Sequence, residues 1–181
     1  MALSERRLSC SFRLYAGTQN TTMPSIRPLT ASDIPHVADW IASTPLWQRY
    51  NYSAARATDS LTQALAQGDL LLTADCDGAR ACGLAWCIPR AAFGRSVYLR
   101  LLGVRSDHYS AGLGAALLSA AEAQAAAIAR DMILLVSDFN QDAQRFYQRQ
   151  GYLHVGVIPG YVLPDVAELV YWKRLSSANE T

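Results

Sequence analysis

Charge is scarce in this chain. Of its 181 residues only 17% are acidic or basic, against roughly 25% in an ordinary soluble domain. Neither sign prevails, because 16 Lys and Arg face 15 Asp and Glu for a net charge of +1. A dedicated nucleic-acid binder carries a large basic excess to meet phosphates, so that class is set aside, and a polybasic membrane anchor is set aside with it. Long apolar runs are missing too. None approaches the roughly 20 residues that cross a bilayer, and nothing resembles a secretory signal, so a soluble, cytoplasmic protein is expected. Cys10, Cys76, Cys82 and Cys87 include no CxxC pair and have no histidine at metal-ligand spacing. Free thiols in a reducing compartment, and no metal, are the expectation. What the chain does have is apolar mass, 51% of its residues, enough to fill a core and to argue against intrinsic disorder.

Residues 1–24 stand apart. Arg6, Arg7 and Arg13 against Glu5, many Ser and Thr, and no apolar periodicity suit a transit-like segment or an extension preceding an alternative start at Met23. Regular patterning follows. An edge strand is predicted over 25–29, then a helix in which Ile34, Val37 and Ile41 recur at helical spacing after the capping residues 30–33. A second helix is predicted over 55–67, ended by Gly68, and strands over 70–74 and 82–88 flank the Asp77-Gly78 turn. After a strand over 97–104 comes the longest helix, 112–130, with Leu113, Leu117, Ala120, Ala121 and Ile128 as its buried stripe. The apolar run 132–136 reads as a strand covered on both faces, 142–150 as a helix closed by Gly151, and 152–157 and 168–173 as two last strands. This order has no internal repeat and no linker. It predicts one α/β (α+β) domain over 25–175 with a mixed sheet and about four helices, followed by a tail over 176–181.

The strand at 97–104 runs into a small turn that opens the long helix, with Gly112 and Gly114 at the junction. The first amides of a helix lack internal partners, and the helix dipole favours negative charge there. Glycines at that point let a phosphate approach those amides closely. Glycine at a helix start also serves tight helix–sheet packing, so both uses stand. No lysine follows Gly114 as in a P-loop, and the turn lies too late in the chain for a dinucleotide fingerprint.

A second segment, Asn140 to Tyr152, pairs with the first. The two together resemble the GNAT family of N-acetyltransferases, acyl-coenzyme A-dependent enzymes that acetylate amines. The family's phosphate motif, Arg or Gln, two residues, Gly, any residue, Gly or Ala, is met at Gly112 and Gly114. Its later pattern of Asn, two residues, Ala, two residues, Phe-Tyr, three residues, Gly, aromatic is met by Asn140, Ala143, Phe146, Tyr147, Gly151 and Tyr152. The likeness in element order runs from about Ile26 to Leu175.

This resemblance implies a mostly antiparallel sheet splayed at the cofactor site and acetyl-CoA as co-substrate. The pyrophosphate is then expected on Ser110, Ala111, Gly112, Leu113, Gly114 and Ala115, beside Tyr109. The pantetheine arm is expected along Leu102 and Val104, with Asn140 reaching it from the other side. Tyr147 is implied as the proton donor to the departing sulfur in a direct transfer through a tetrahedral intermediate, with a backbone N–H near Val104 facing the oxyanion. Three departures from the family pattern stand out. Tyr109 holds the usual Arg or Gln position, leaving Arg105 as a stand-in. The strand before the cradle lacks the Glu that often serves as base, leaving Asp138 as the candidate. His108 is a weaker candidate, expected on an exposed loop.

The acceptor region implied by the family holds Trp40, Pro45, Trp47, Tyr50 and Tyr52 early in the chain and Tyr161, Asp165 and Glu168 late. Aromatic faces attract cations, but aromatics fill cores as readily. A small-molecule amine, foremost an aminoglycoside, is the expected acceptor. A protein N-terminus and a non-catalytic acyl-CoA sensor are the alternatives. A homodimer is a further expectation from the resemblance.

Overall fold

The computed structural model of the protein describes residues 24–76, 78–108 and 112–175. The expected extension before Pro24, the tail beyond 175, and Cys10, Tyr109, Ser110 and Ala111 lie outside the described residues. Seven strands build one sheet: β1 (Ser25–Pro28), β2 (Leu70–Cys76), β3 (Ala79–Ala92), β4 (Ser96–Val104), β5 (Asp131–Ser137), β6 (Leu153–Pro159) and β7 (Ala167–Arg174), in the order β1-β2-β3-β4-β5-β7-β6. Among the described strands only β4 and β5 pair in parallel. The helices are α1 (Ile34–Ser43), α2 (Pro45–Arg49), α3 (Ala54–Gln67), α4 (Leu113–Ala126) and α5 (Gln141–Arg149). The mixed, mostly antiparallel α/β domain is as expected, with one helix more. Five-residue α2 opens at Pro45, whose fixed φ suits a first helical position, and it is too short to show a period.

The sheet separates two apolar layers. On one face α4 and α5 pack Leu113, Leu117, Ala121 and Tyr147 against Leu99, Leu134 and Val136. On the other, α1 and α3 pack Val37, Trp40, Ile41 and Leu61 against Leu84, Trp86 and Leu101. Two strand glycines set how closely the helices approach. A Cβ at Gly83 would lie 2.6 Å from Leu117 Cδ1, and one at Gly103 would lie 3.1 Å from the Trp40 ring. One member of the expected stripe does not belong to it: α4 ends at Ala126, so Ile128 falls in the following turn and is 41% exposed. In an alanine-rich helix the stripe is faint, and the pattern does not mark where the helix stops.

At the far edge Asp33 is fully buried, yet it accepts hydrogen bonds from Arg27 (2.7 and 2.9 Å), Arg80 (2.6 Å) and Thr30 (2.7 and 2.9 Å). Arg27 also binds Asp75, so one network ties β1 to the start of α1 and to β2 and β3. The Arg27 guanidinium, opposed by burial and helped by Thr30 and Arg80, holds the Asp33 carboxyl well below the usual carboxylate range. A carboxyl depressed in the folded state stabilises above its unfolded value of about 4 and loses that contribution as pH falls through the folded value. Asp33→Asn is therefore expected to lower the unfolding free energy at pH 7 by about 2–3 kcal/mol. Urea titrations from pH 7 to about 3 should show that the gap between wild type and variant narrows as acid is added.

Candidate active site

β4 and β5 match at only three register positions, Val97↔Met132, Tyr98↔Ile133 and Leu99↔Leu134. Beyond them the strands part. β4 stays on β3 as far as Val104, and β5 stays on β7 as far as Ser137. A register shift between Trp86↔Leu101 and Cys87↔Leu99 leaves Arg100 as an extra residue where the parting begins, and such a bulge bends its strand. Arg105 N–H donates to the Cys82 carbonyl at 2.7 Å. By the alternation of an antiparallel ladder, residues 101, 103 and 105 spend their main-chain groups on β3, while Leu102 and Val104 turn theirs toward the gap.

At the mouth of the gap α4 begins. Gly112 precedes it with φ +117°, a left-handed backbone that disfavours any side chain. The first intrahelical bond runs from Ala116 N–H to the Gly112 carbonyl at 2.8 Å, so the amides of Leu113, Gly114 and Ala115 have no partner within the helix. Packing does not account for the glycines. A Cβ at Gly112 would meet nothing within 4 Å, and one at Gly114 would meet only the Phe146 ring, at 3.9 Å. Among the described residues, nothing crowds the place a side chain would take at either glycine.

α5 lies beside this cradle. The Asn140 Oδ1 accepts from Ala143 N–H at 3.2 Å and caps the helix. Gln144 Nε2 donates to the carbonyls of Ser137 and Asp138, fastening α5 to the end of β5. Tyr147 is 8% exposed and sits among the rings of Phe146, Tyr152 and Tyr171, with centroids 5.1, 5.6 and 6.5 Å away. No group among the described residues hydrogen-bonds its hydroxyl. Burial, then Cys87 and Tyr98, pushes the phenol well above its ordinary value, so it stays protonated at neutral pH.

On the opposite face, at the end of β5, is a second polar group. Glu168 of β7 stands opposite Ser137 of β5 in register, and both are buried. Tyr50, just after α2, donates to Glu168 Oε1 at 3.0 Å and makes a short bond with Ser137 Oγ. With the Tyr50 proton committed to the carboxylate, the Ser137 hydroxyl is the donor in that short bond. Burial pushes the Glu168 carboxyl up, the Tyr50 bond partly offsets it, and Asp138 adds to it. Tyr98 of β4 is also raised, chiefly by burial, and feels Arg100, Tyr161 and Glu168.

The remaining expected residues are scattered. Asp138 is exposed, and its Oδ2 accepts from Ala167 N–H at 3.3 Å. Trp40 is 5% exposed and donates from Nε1 to the Ala81 carbonyl at 2.9 Å, a core position beneath β3 and β4. Trp47 is half-buried against Tyr52, and Tyr161 and Asp165 are exposed. Arg105 binds Asp107 at 2.7 Å and meets His108, whose side chain is 17% exposed rather than on an open loop. Glu168 is visible in the sequence only as one available carboxylate; its signal is an acid beside the apolar run Leu169–Trp172 of the strand Ala167–Arg174.

Among known proteins, the model of the acetyltransferase (GNAT) family matches residues 35–152. No curated protein matches the chain significantly. Solved structures do. A GNAT-family protein described as a putative acetyltransferase from Desulfovibrio desulfuricans is 20% identical, with a TM-score of 0.70 over 84% of this chain and 99% of that one. A ribosomal-protein-alanine N-acetyltransferase from Brucella melitensis is 18% identical, with 0.69 over 83% and 99%. An aminoglycoside 6'-N-acetyltransferase complexed with coenzyme A is 16% identical, with 0.71 over 86% and 99%.

The open space at the cradle yields a stability test. Gly112→Ala is expected to destabilise by about 1–2 kcal/mol through its left-handed backbone. Gly114→Ala is expected to stabilise by about 0.5 kcal/mol, because it fills no occupied space and favours the helix. Thermal unfolding of both variants checks this, and a marked loss at Gly114 would return the packing explanation.

Proposed function

The chain belongs to the acetyltransferase (GNAT) family, and from that premise we propose that it moves an acetyl group from acetyl-CoA to a primary amine of a small molecule, an aminoglycoside being the leading acceptor. The observation that carries this is the gap between β4 and β5, flanked by free helix amides at one end and by Tyr147 on one face. Acetyl-CoA, when bound, supplies an acyl group activated as a thioester. The residues present fit it. Gly112 and Gly114 leave room for a diphosphate on the amides of Leu113, Gly114 and Ala115, and Tyr109, Ser110 and Ala111 complete the proposed cradle. Leu102 and Val104 offer the arm main-chain groups that β3 does not use. Asn140, whose Oδ1 caps α5, keeps its amide N–H groups for the same arm. The Val104 N–H, turned into the gap, faces the carbonyl oxygen as charge builds there. Tyr147 keeps its proton until negative charge develops on the sulfur, then gives it up.

The acceptor enters on the face of Tyr50 and Glu168. Tyr50 fastens the stretch after α2 onto the sheet, which narrows that face and favours a compact amine over a polypeptide lying in an open groove. Glu168, Asp138 and Asp165 supply negative charge to a polyamine, and Trp47 and Tyr161 supply rings. The likeness to the aminoglycoside acetyltransferase supports the specific acceptor, and the likeness to the ribosomal-protein enzyme keeps a protein N-terminus as the rival. A sensor without catalysis has no use for a buried, unpartnered phenol at the gap. For the homodimer, the free edge strand β6 carries Leu153, Val155 and Val157, each about half exposed.

Thiol release from acetyl-CoA over a panel of aminoglycosides, polyamines, amino acids and short peptides tests the acceptor class. Turnover confined to peptides contradicts the small-molecule assignment. Tyr147→Phe should lower kcat about 100-fold while acetyl-CoA affinity stays within about twofold, because the ring is kept and only the proton is lost. Gly114→Ala, stabilising to the fold, should weaken acetyl-CoA about tenfold by crowding the phosphate.

A further inference from the structure

The transfer needs a group that takes a proton from the incoming ammonium, and β4 offers no acid between Ser96 and Val104. We propose that Glu168 is this proton acceptor and that Tyr50 is its positioning residue. The assignment rests on the acetyl-transfer function above and supplies the base that function lacks.

Two carboxylates are buried among the described residues, Asp33 and Glu168, and they are treated differently. Asp33 is met by two guanidinium groups and by Thr30, as a carboxylate kept for structure should be. Glu168 is 4% exposed and has no cationic partner among the described residues; Tyr50 alone donates to it. A buried carboxylate without a cation is costly to the fold, and where it faces a cleft it marks a working site. Arg49, the basic residue of α2, lies over the Phe139 ring at 3.9 Å.

Placement agrees. The sheet gap has Tyr147 in the apolar layer on one face and the Tyr50–Ser137–Glu168 group on the other. A thioester carbonyl lying in the gap presents its sulfur to Tyr147 and its opposite side to an amine arriving beside Glu168. The groups around Glu168 are Tyr50, which donates to it, Ser137 opposite it in register, Asp138 just past β5, and Tyr98 on β4; Arg49 acts on Tyr50 and Tyr161 on Tyr98. Asp138 competes poorly, because it is exposed and engaged with the Ala167 amide.

The step balances. Glu168 takes one N–H proton from the ammonium, and the freed lone pair forms the C–N bond to the carbonyl carbon. As the C–S bond breaks, Tyr147 gives its proton to the sulfur, and the second proton lost by the nitrogen restores the phenol. Glu168 releases its proton to water, so one proton leaves per turnover.

The test measures amine-dependent thiol release from pH about 5.5 to 10 for wild type, Glu168→Gln, Glu168→Asp, Tyr50→Phe and Asp138→Asn, with acetyl-CoA affinity and unfolding temperature measured on each. Glu168→Gln should lower kcat near pH 7 about 100-fold at unchanged acetyl-CoA affinity. That deficit should shrink as pH passes the acceptor's own pKa, where the amine arrives neutral. Glu168→Asp should recover part of the rate, which an unfolded variant does not do. Tyr50→Phe removes a bond to the charged carboxylate, so the acidic limb should move up by about 0.5–1 pH unit. Asp138→Asn should retain the acidic limb, displaced slightly to lower pH, because a neighbouring charge that raises Glu168 is gone. A Glu168→Gln enzyme with the wild-type profile, or loss of the limb in Asp138→Asn instead, overturns the proposal while acetyl transfer stands. A wild type that binds acetyl-CoA but releases no thiol with any amine overturns both, and that is read before any variant.

Discussion

The parting of β4 from β5 governs the rest of the molecule. Each strand is held on its outer side along its whole length, β4 by β3 and β5 by β7, and the bulge at Arg100 bends β4 away just where parallel pairing stops. Neither strand can relax toward the other without breaking an antiparallel ladder. Neither neighbouring strand pairs the main-chain groups of Leu102 and Val104 that turn into the gap, and a buried backbone group without a partner is expensive, so they suit a ligand. A narrow, extended molecule rich in amides is what such a gap receives best.

The same parting creates two chemical faces from one sheet. α4 and α5 fill one side, so the cradle amides and the Tyr147 phenol belong to a single apolar layer. On the side covered by α1 and α3, Tyr50 lies against Glu168 and donates to it. Burial acts on both groups by the same physics with opposite results for their use. It strengthens the hold of Tyr147 on its proton and makes Glu168 readier to accept one. An acid and a base separated by the thickness of a sheet cannot neutralise each other.

Much of this was legible in the order of residues. Gly112, Gly114 and the Asn140 to Tyr152 pattern are local, set by a helix start and by one short amphipathic helix, and local signals survive in sequence. Six of the seven strands also emerged within two residues of their true bounds, because each alternates or is bracketed by turn residues; β3 runs over Ala79–Ala92, twice the expected 82–88. What escaped is of two kinds. α2 and the end of α4 are weakly coded, the first too short for periodicity and the second too rich in alanine to show where packing ends. The Tyr50–Ser137–Glu168 group joins three segments up to 118 residues apart, and only the register of β5 on β7 makes them neighbours. Trp40 shows the complementary error: an aromatic reads equally as a pocket wall or as core, and its indole N–H found a carbonyl partner inside.

Amide hydrogen exchange with and without acetyl-CoA is the most direct measure of whether the gap holds the donor. Protection should rise in the peptides carrying Leu102 and Val104 and in those carrying Leu113 to Ala115, whose amides have no partner within α4, while β1, β2 and α3 stay unchanged. Binding that leaves both of those segments exchanging at their free rates would contradict the account.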